Sequence, residues 1–143
     1  MDELVKRGDG IMQFGDASHK MATSLDLTNP NNRVVLLKAM QDCDARLTEN
    51  VNVPIKVCDY LAHDVEITSR ETGELITVTR LVLIDDKGCT YETTGNTLLK
   101  SIQTVAYAFG PPPWNPPITM MVRTKKRGER SIYFFEVDAN LQR

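Results

Sequence analysis

Five prolines within the seven residues Pro111 to Pro117 constrain this chain more than any other feature. Proline lacks an amide donor and fixes φ, so the run can lie neither inside a helix nor in a central strand. It must be a connector. Ala108-Phe109-Gly110 ahead of it ends one element, and the segment released after it is basic and aromatic-rich. No catalytic motif competes with this pattern.

A chain of 143 residues is long enough for one domain with a core and too short for two. The reading is a flexible N-terminal arm over residues 1–28 and one domain over 29–143. A hydrophobic fraction of 41% with 25% charged residues excludes wholesale disorder. No apolar run reaches membrane-span length, and Met1-Asp2-Glu3-Leu4-Val5-Lys6-Arg7 lacks the apolar region of a signal peptide, so a cytoplasmic protein is expected. Cys43, Cys58 and Cys89 are odd in number and form no Cys-x-x-Cys pair, which argues against a disulfide framework and a zinc site. They read as free, mostly buried thiols. A net charge of −2 excludes a uniformly basic polyanion binder, so any such binding must come from local polarity.

Residues Met1 to Leu27 show no sustained period. Asn29 can then cap a helix that Pro30 opens, and Val34, Leu36, Leu37, Met40, Cys43 and Leu47 recur at helical spacing, which predicts a helix over about 30–46. Its apolar stripe must cover the following sheet or a second subunit. From Val53 the texture turns to strands: one through Asp59 and on to Ile67, a turn at Ser69–Glu74, and a second over Leu75–Ile84. The apolar phase of that second strand slips near Thr79-Arg80, where a bulge is expected. Asp85-Asp86-Lys87-Gly88 turns into a third strand, Cys89–Thr94. Asn96 or Thr97 can cap a helix carrying Leu98, Leu99, Ile102, Val105, Ala106 and Phe109, which Gly110 ends. Ile118–Thr124, with Ile118, Met120 and Val122 on one face, and Ser131–Val137 are the last two strands, joined by a basic loop over 123–130.

The order β-β-β-α-β-β is that of a five-stranded oligonucleotide-binding (OB) Greek-key barrel, with its helix between strands three and four. The fold class expected is therefore mainly β, an OB-type barrel preceded by an N-terminal helix.

Catalysis finds no support in the residues. His19 and His63 lie far apart, and no Gly-x-Ser-x-Gly, His-Glu-x-x-His or phosphate-loop pattern occurs. Asp85-Asp86 reads as turn chemistry ahead of Lys87-Gly88 rather than as a metal-binding pair. Neither enzyme activity, metal nor cofactor is expected. Arg123, Lys125, Lys126, Arg127 and Arg130, by contrast, cluster just ahead of Tyr133, Phe134 and Phe135. Cations that track phosphates and aromatic faces that stack on bases are how single strands are held. Strand alternation puts Phe134 in the core with Ile132, and Tyr133 and Phe135 on the opposite face. The candidate nucleic-acid-binding set is completed by Lys56, Tyr60, Arg70, Arg80, Tyr91 and Trp114. Arg70 sits in the loop between the first two strands and Tyr91 in the third. Arg80 either pairs with a carboxylate in the barrel wall or projects into the groove. Trp114 packs onto the barrel to hold the connector or meets a ligand.

The ordered set Gly73-Glu74, Arg80-Leu81-Val82-Leu83-Ile84-Asp85, Gly88, Thr90-Tyr91, Leu98-Leu99-Lys100-Ser101, Phe109-Gly110-x-Pro112 and Trp114-Asn115-Pro116-Pro117-Ile118, with the basic hairpin, resembles small single-stranded DNA-binding proteins of bacteriophages and related mobile elements. The likeness spans about Asn29 to Val137. It implies an OB barrel that coats and protects single-stranded DNA (RNA being a possible ligand) during replication or recombination, without enzymatic activity, often as a homo-oligomer and in the host cytoplasm. The chain ends Glu136-Val137-Asp138-Ala139-Asn140-Leu141-Gln142-Arg143, without the acidic tail by which bacterial host proteins of this kind recruit partners. The alternative is a protein-interaction module on the same barrel, binding a replication, recombination or host protein. A metal-dependent nuclease using Asp85 and Asp86 ranks last.

Overall fold

A computed structural model describes residues 21–139, a mainly β chain whose sheet curls into an open half-barrel. The elements in chain order are β1 (Met21–Thr23), α1 (Pro30–Gln41), β2 (Ala45–Arg46), β3 (Ile55–Thr68), β4 (Leu75–Asp85), β5 (Thr90–Thr93), α2 (Asn96–Phe109), β6 (Ile118–Arg127) and β7 (Arg130–Glu136). A 3-10 turn at Leu47–Glu49 follows β2. The sheet order is β2-β5-β4-β3-β6-β7, with β1 beside β3.

Strand β3 is the hub. Its first residues pair with β6, setting Ile55 against Met120 and Val57 against Ile118, while Asp59 to Thr68 pair with β4. The bulge falls at the shift between Val57 and Asp59 in β3, not at Thr79-Arg80, where β4 keeps regular register. The unbroken apolar run of β4 has another cause. Leu81 and Leu83 enter the main core with Val57, Leu98, Ile102, Met120 and Val122, whereas Val82 faces Leu61 and Ala39 on the other side. A strand covered on both faces reads as a continuous apolar run rather than an alternating one.

Helix α1 starts as the sequence predicts, with Asn29 Oδ1 accepting from the Asn31 amide and Pro30 in the first turn. It stops at Gln41, short of residue 46, because the next residues are drawn to the sheet. Asp44 Oδ2 accepts from the Thr90 amide at 2.9 Å, and Ala45-Arg46 pairs in parallel with Tyr91-Glu92. Only Ala39 of α1 is buried, while Val34, Leu37 and Met40 stay exposed. The expected stripe therefore covers the sheet only in part: Leu36 and Cys43 pack half-buried beside Ala39 against Leu61 and Val82, and the small Ala39 lets the helix approach closely.

The segment expected as an arm is partly structured. Residues 1–20, which include His19, lie outside the described residues, but Met21–Thr23 pairs with His63–Leu61. Ser24 Oγ donates to Asp59 Oδ1 at 2.8 Å, and Leu25 is buried. Helix α2 begins at Gly95, which offers no side-chain cap in place of the expected Asn96 or Thr97. It ends at Gly110, whose φ of 88° is a conformation that side chains with a Cβ resist.

The proline connector then returns to the sheet. The Trp114 amide donates to Cys58 O at 2.8 Å and its Nε1 to Gly110 O at 2.9 Å, with the ring only 6% exposed. Trp114 thus ties the end of α2, through its indole, to the bulge in β3, through its backbone amide, and from there Ile118 enters β6.

Candidate nucleic-acid interface

The β6–β7 hairpin is built around a two-residue turn. Gly128, at φ 65°, holds the first central position, as a type II′ hairpin turn requires, and sets Arg127 opposite Arg130. The basic residues expected in a loop therefore lie on strands. Register continues with Lys126 opposite Ser131, Lys125 opposite Ile132, Thr124 opposite Tyr133, Arg123 opposite Phe134 and Val122 opposite Phe135.

Opposed residues share a face and successive residues alternate. Arg123, Lys125, Arg127, Arg130, Ile132 and Phe134 thus line one face, while Val122, Phe135 and Tyr133 line the other. The expected phase is inverted. Phe135 is 6% exposed, in the core with Val122, and Tyr133 packs against that core, whereas half-buried Phe134 lies on the outer face. Phe135 is unavailable for stacking. Lys125 Nζ stands 5.2 Å from the Phe134 ring centroid, and Arg123 Nη1 reaches Glu136 Oε1 at 3.2 Å. The hairpin from Arg123 to Glu136 holds five basic residues against two acidic ones, a net of three positive charges on a chain that is net negative.

Three other candidates are internal or taken up by the scaffold. Arg80 is 8% exposed and wholly engaged: it donates to Glu92 Oε1 at 2.9 Å, Ala39 O at 2.8 Å, Cys43 Sγ at 3.1 Å and, through Nη1, His63 Nε2 at 3.0 Å. It locks α1 to the sheet rather than reaching a groove, because a buried guanidinium must have its donors satisfied. Trp114 is committed to the connector, as above. Tyr91 donates its hydroxyl to Asp85 Oδ2 at 3.2 Å, and burial, reinforced by the neighbouring carboxylate, pushes its pKa up to about 12.

The remaining candidates are dispersed. Lys56 shares a cleft with Tyr91, Asp85 and Asp86, so negative charge surrounds it. Tyr60 lines an apolar cleft of about 300 Å³ with Leu81, Leu99, Pro112 and Trp114. Tyr133 lines a third cleft with Arg46, Glu92, Thr93, Gly95 and Thr97. Arg70 is exposed at the tip of the β3–β4 hairpin, among acidic residues. Candidates thus meet in pairs at two clefts, Lys56 with Tyr91 and Tyr60 with Trp114, and in one larger group on the hairpin, from which Lys126, opposite Ser131, is set apart on the other face. Sequence reasoning missed Phe134 and Ile132 in that group.

Asp85 Oδ1 accepts from the amides of Lys87 and Cys89 at 2.9 and 2.8 Å, so this carboxylate serves the turn. Cys43, Cys58 and Cys89 are free thiols and half-buried rather than buried, and burial pushes the pKa of Cys43 and Cys58 upward. Among the described residues no helix is long and apolar enough to cross a membrane. No protein-family model, curated protein or solved structure matches this chain.

Proposed function

We propose that the protein binds single-stranded DNA with little sequence preference, as a non-enzymatic coating protein, through the outer face of the β6–β7 hairpin. One observation carries this reading: Arg123, Lys125, Arg127 and Arg130 share an exposed strand face with Phe134, and Lys125 lies over the Phe134 ring. Cations spaced along a strand can track phosphates, while an aromatic face beside them takes a base, each stacked base contributing about 1–3 kcal/mol. Each phosphate neutralised releases counterions, so affinity falls with salt.

The strand order lends support. From β5 through β4, β3 and β6 to β7 the sheet runs 3-2-1-4-5 in OB numbering, with α2 between the third and fourth strands. In that barrel the loop between strands four and five borders the binding face, and here that loop is the β6–β7 hairpin. The resemblance to bacteriophage proteins points to replication or recombination as the setting.

The test is fluorescence anisotropy with single-stranded DNA, single-stranded RNA and duplex DNA at two salt concentrations. Preference for single strands that weakens with salt is expected. Equal affinity for duplex, or no binding to a long oligonucleotide at low salt, overturns the reading. A protein-interaction module is the second reading, and the apolar cleft beside Tyr60 and Trp114 favours it. Charge reversal at Lys125, Lys126 and Arg127 separates the two, since it abolishes binding on the hairpin and leaves binding in the cleft intact.

A further inference from the structure

The two long hairpins leave β3 at opposite ends and carry opposite charge. Because Ile55 is set against Met120, β6 beyond Met120 runs past the N-terminal end of β3, whereas the β3–β4 hairpin extends from the C-terminal end. Between Asp64 and Thr79 that second hairpin holds Asp64, Glu66, Glu71 and Glu74 against Arg70 alone, a net of three negative charges. The β6–β7 hairpin carries three net positive charges. The net charge of −2 thus conceals two poles.

The acidic hairpin also has an unpartnered apolar face. Val65 opposes Val78 and Ile67 opposes Ile76, continuing the face on which α1 covers Leu61 and Val82. Past that cover, Ile67 and Ile76 are 37% and 41% exposed. Both edges are open as well: β1 reaches β3 only at Leu61–His63 and β5 reaches β4 only at Leu81–Ile84 among the described residues. A long apolar hairpin with open edges is a template for another chain. The basic hairpin offers the matching partner. Among the described residues β7 pairs with β6 alone; α2 covers its C-terminal part, where the Phe135 amide donates to Ser101 Oγ at 2.8 Å, and towards the tip its half-buried Ile132 and Phe134 lie beside the cations.

We propose that the protein assembles head to tail, the acidic β3–β4 hairpin of one copy seating on the basic β6–β7 hairpin of the next. Charge complementarity commits the occupant: Glu71 and Glu74 sit at the turn and Asp64 and Glu66 on the face opposite Ile67 and Ile76. Acids thus flank the apolar face at the tip and behind it and repel a polyanion or a second acidic surface. The two surfaces differ, so the contact is heterologous and leaves a free pole at each end. Open chains result, not closed dimers.

The basic hairpin also serves the proposed DNA site, so the test is made on the full chain without nucleic acid. Sedimentation velocity at about 50 and about 500 mM salt is expected to show concentration-dependent association at low salt, weakened at least tenfold at high salt. Charge-reversed variants E66K/E71K/E74K and K125E/K126E/R127E are each monomeric alone, and an equal mixture of the two associates again. That recovery also shows that both variants fold. A wild-type chain monomeric at both salts up to about 100 µM, association untouched by either reversal, or a mixture that stays monomeric overturns the proposal. The outcomes stay separable from the DNA reading, because E66K/E71K/E74K retains single-strand binding whether or not assembly occurs.

Discussion

Lys125 Nζ stands 5.2 Å from the centroid of the Phe134 ring, a diagonal contact across the β6–β7 ladder. Lys125 faces Ile132 directly, and Phe134 is the next residue along β7 on the same face. The ammonium and the aromatic quadrupole attract, which ties the ring to the cationic row. That geometry makes the two neighbouring phenylalanines separable by experiment.

Phe134→Ala is expected to reduce single-stranded DNA affinity by about 5- to 150-fold, the loss of one stacked base. Phe135→Ala is expected to act on stability instead, costing about 3–5 kcal/mol from a buried aromatic. Anisotropy titration and urea denaturation of both variants check the split. A larger affinity loss per folded molecule at Phe135 than at Phe134 contradicts the observed phase.

Arg80→Leu removes the donors that hold Glu92, Ala39 O and Cys43, and leaves a half-buried carboxylate unpaired. Leaving these partly buried acceptors without their donor costs about 1–3 kcal/mol. The urea midpoint should drop accordingly, with α1 losing amide-exchange protection first. Single-strand affinity of the folded variant should be unchanged.

Tyr91 yields a pH dependence with a definite sign. Its folded pKa of about 12 lies above the ordinary tyrosine value of 10.0, so its contribution is complete below pH 10 and is lost as pH rises toward 12. Phenolate absorbance should show a late-titrating component that Tyr91→Phe removes. The same substitution should flatten the alkaline limb of the stability profile.

Asp44 acts at the other end of the scale. Bonds from the Thr90 amide and hydroxyl and from Lys38 hold its pKa below the usual carboxylate value, so its contribution is present above about pH 4 and is lost as pH falls through the lowered value. Asp44→Asn should lower stability at neutral pH and narrow its difference from the wild type in acid. Urea midpoints at neutral and acidic pH measure both.

Gly128→Val places a β-branched residue at a φ of 65°. The left-handed conformation costs about 1–2 kcal/mol without glycine. Because the site is an exposed tip, the loss should appear as fraying of the hairpin and weaker DNA binding more than as global unfolding. Gly128→Asn, which tolerates this region, should behave near wild type. Amide exchange at Lys125 and Ile132 reports the difference.

Much of the chain's local structure was legible in its residues. The prolines ended α2 and began a connector, Asn29-Pro30 opened α1, and the β-branched runs became β3 and β4 close to their expected bounds. The inward face Ile118, Met120 and Val122 was readable because alternation has a period of two, and all three are buried. The phase of Tyr133-Phe134-Phe135 was not, since three consecutive aromatics carry no alternation of their own. A two-residue turn at Gly128-Glu129, combined with the inward parity of β6, assigns Phe135 to the core. That was the signal available, and only the paired register revealed it.

By itself the sequence determined element type, the connector and the concentration of positive charge in the Arg123–Arg130 segment, because each depends on neighbours within a few residues. Tertiary structure alone decided which face each charge and ring occupies, because pairing register and two-sided burial depend on partners tens of residues away. Arg80 shows the difference most plainly: the alternatives of pairing in the wall or reaching a groove were both open until β5 brought Glu92, and α1 and the residues just after it brought Ala39 O and Cys43, to one guanidinium.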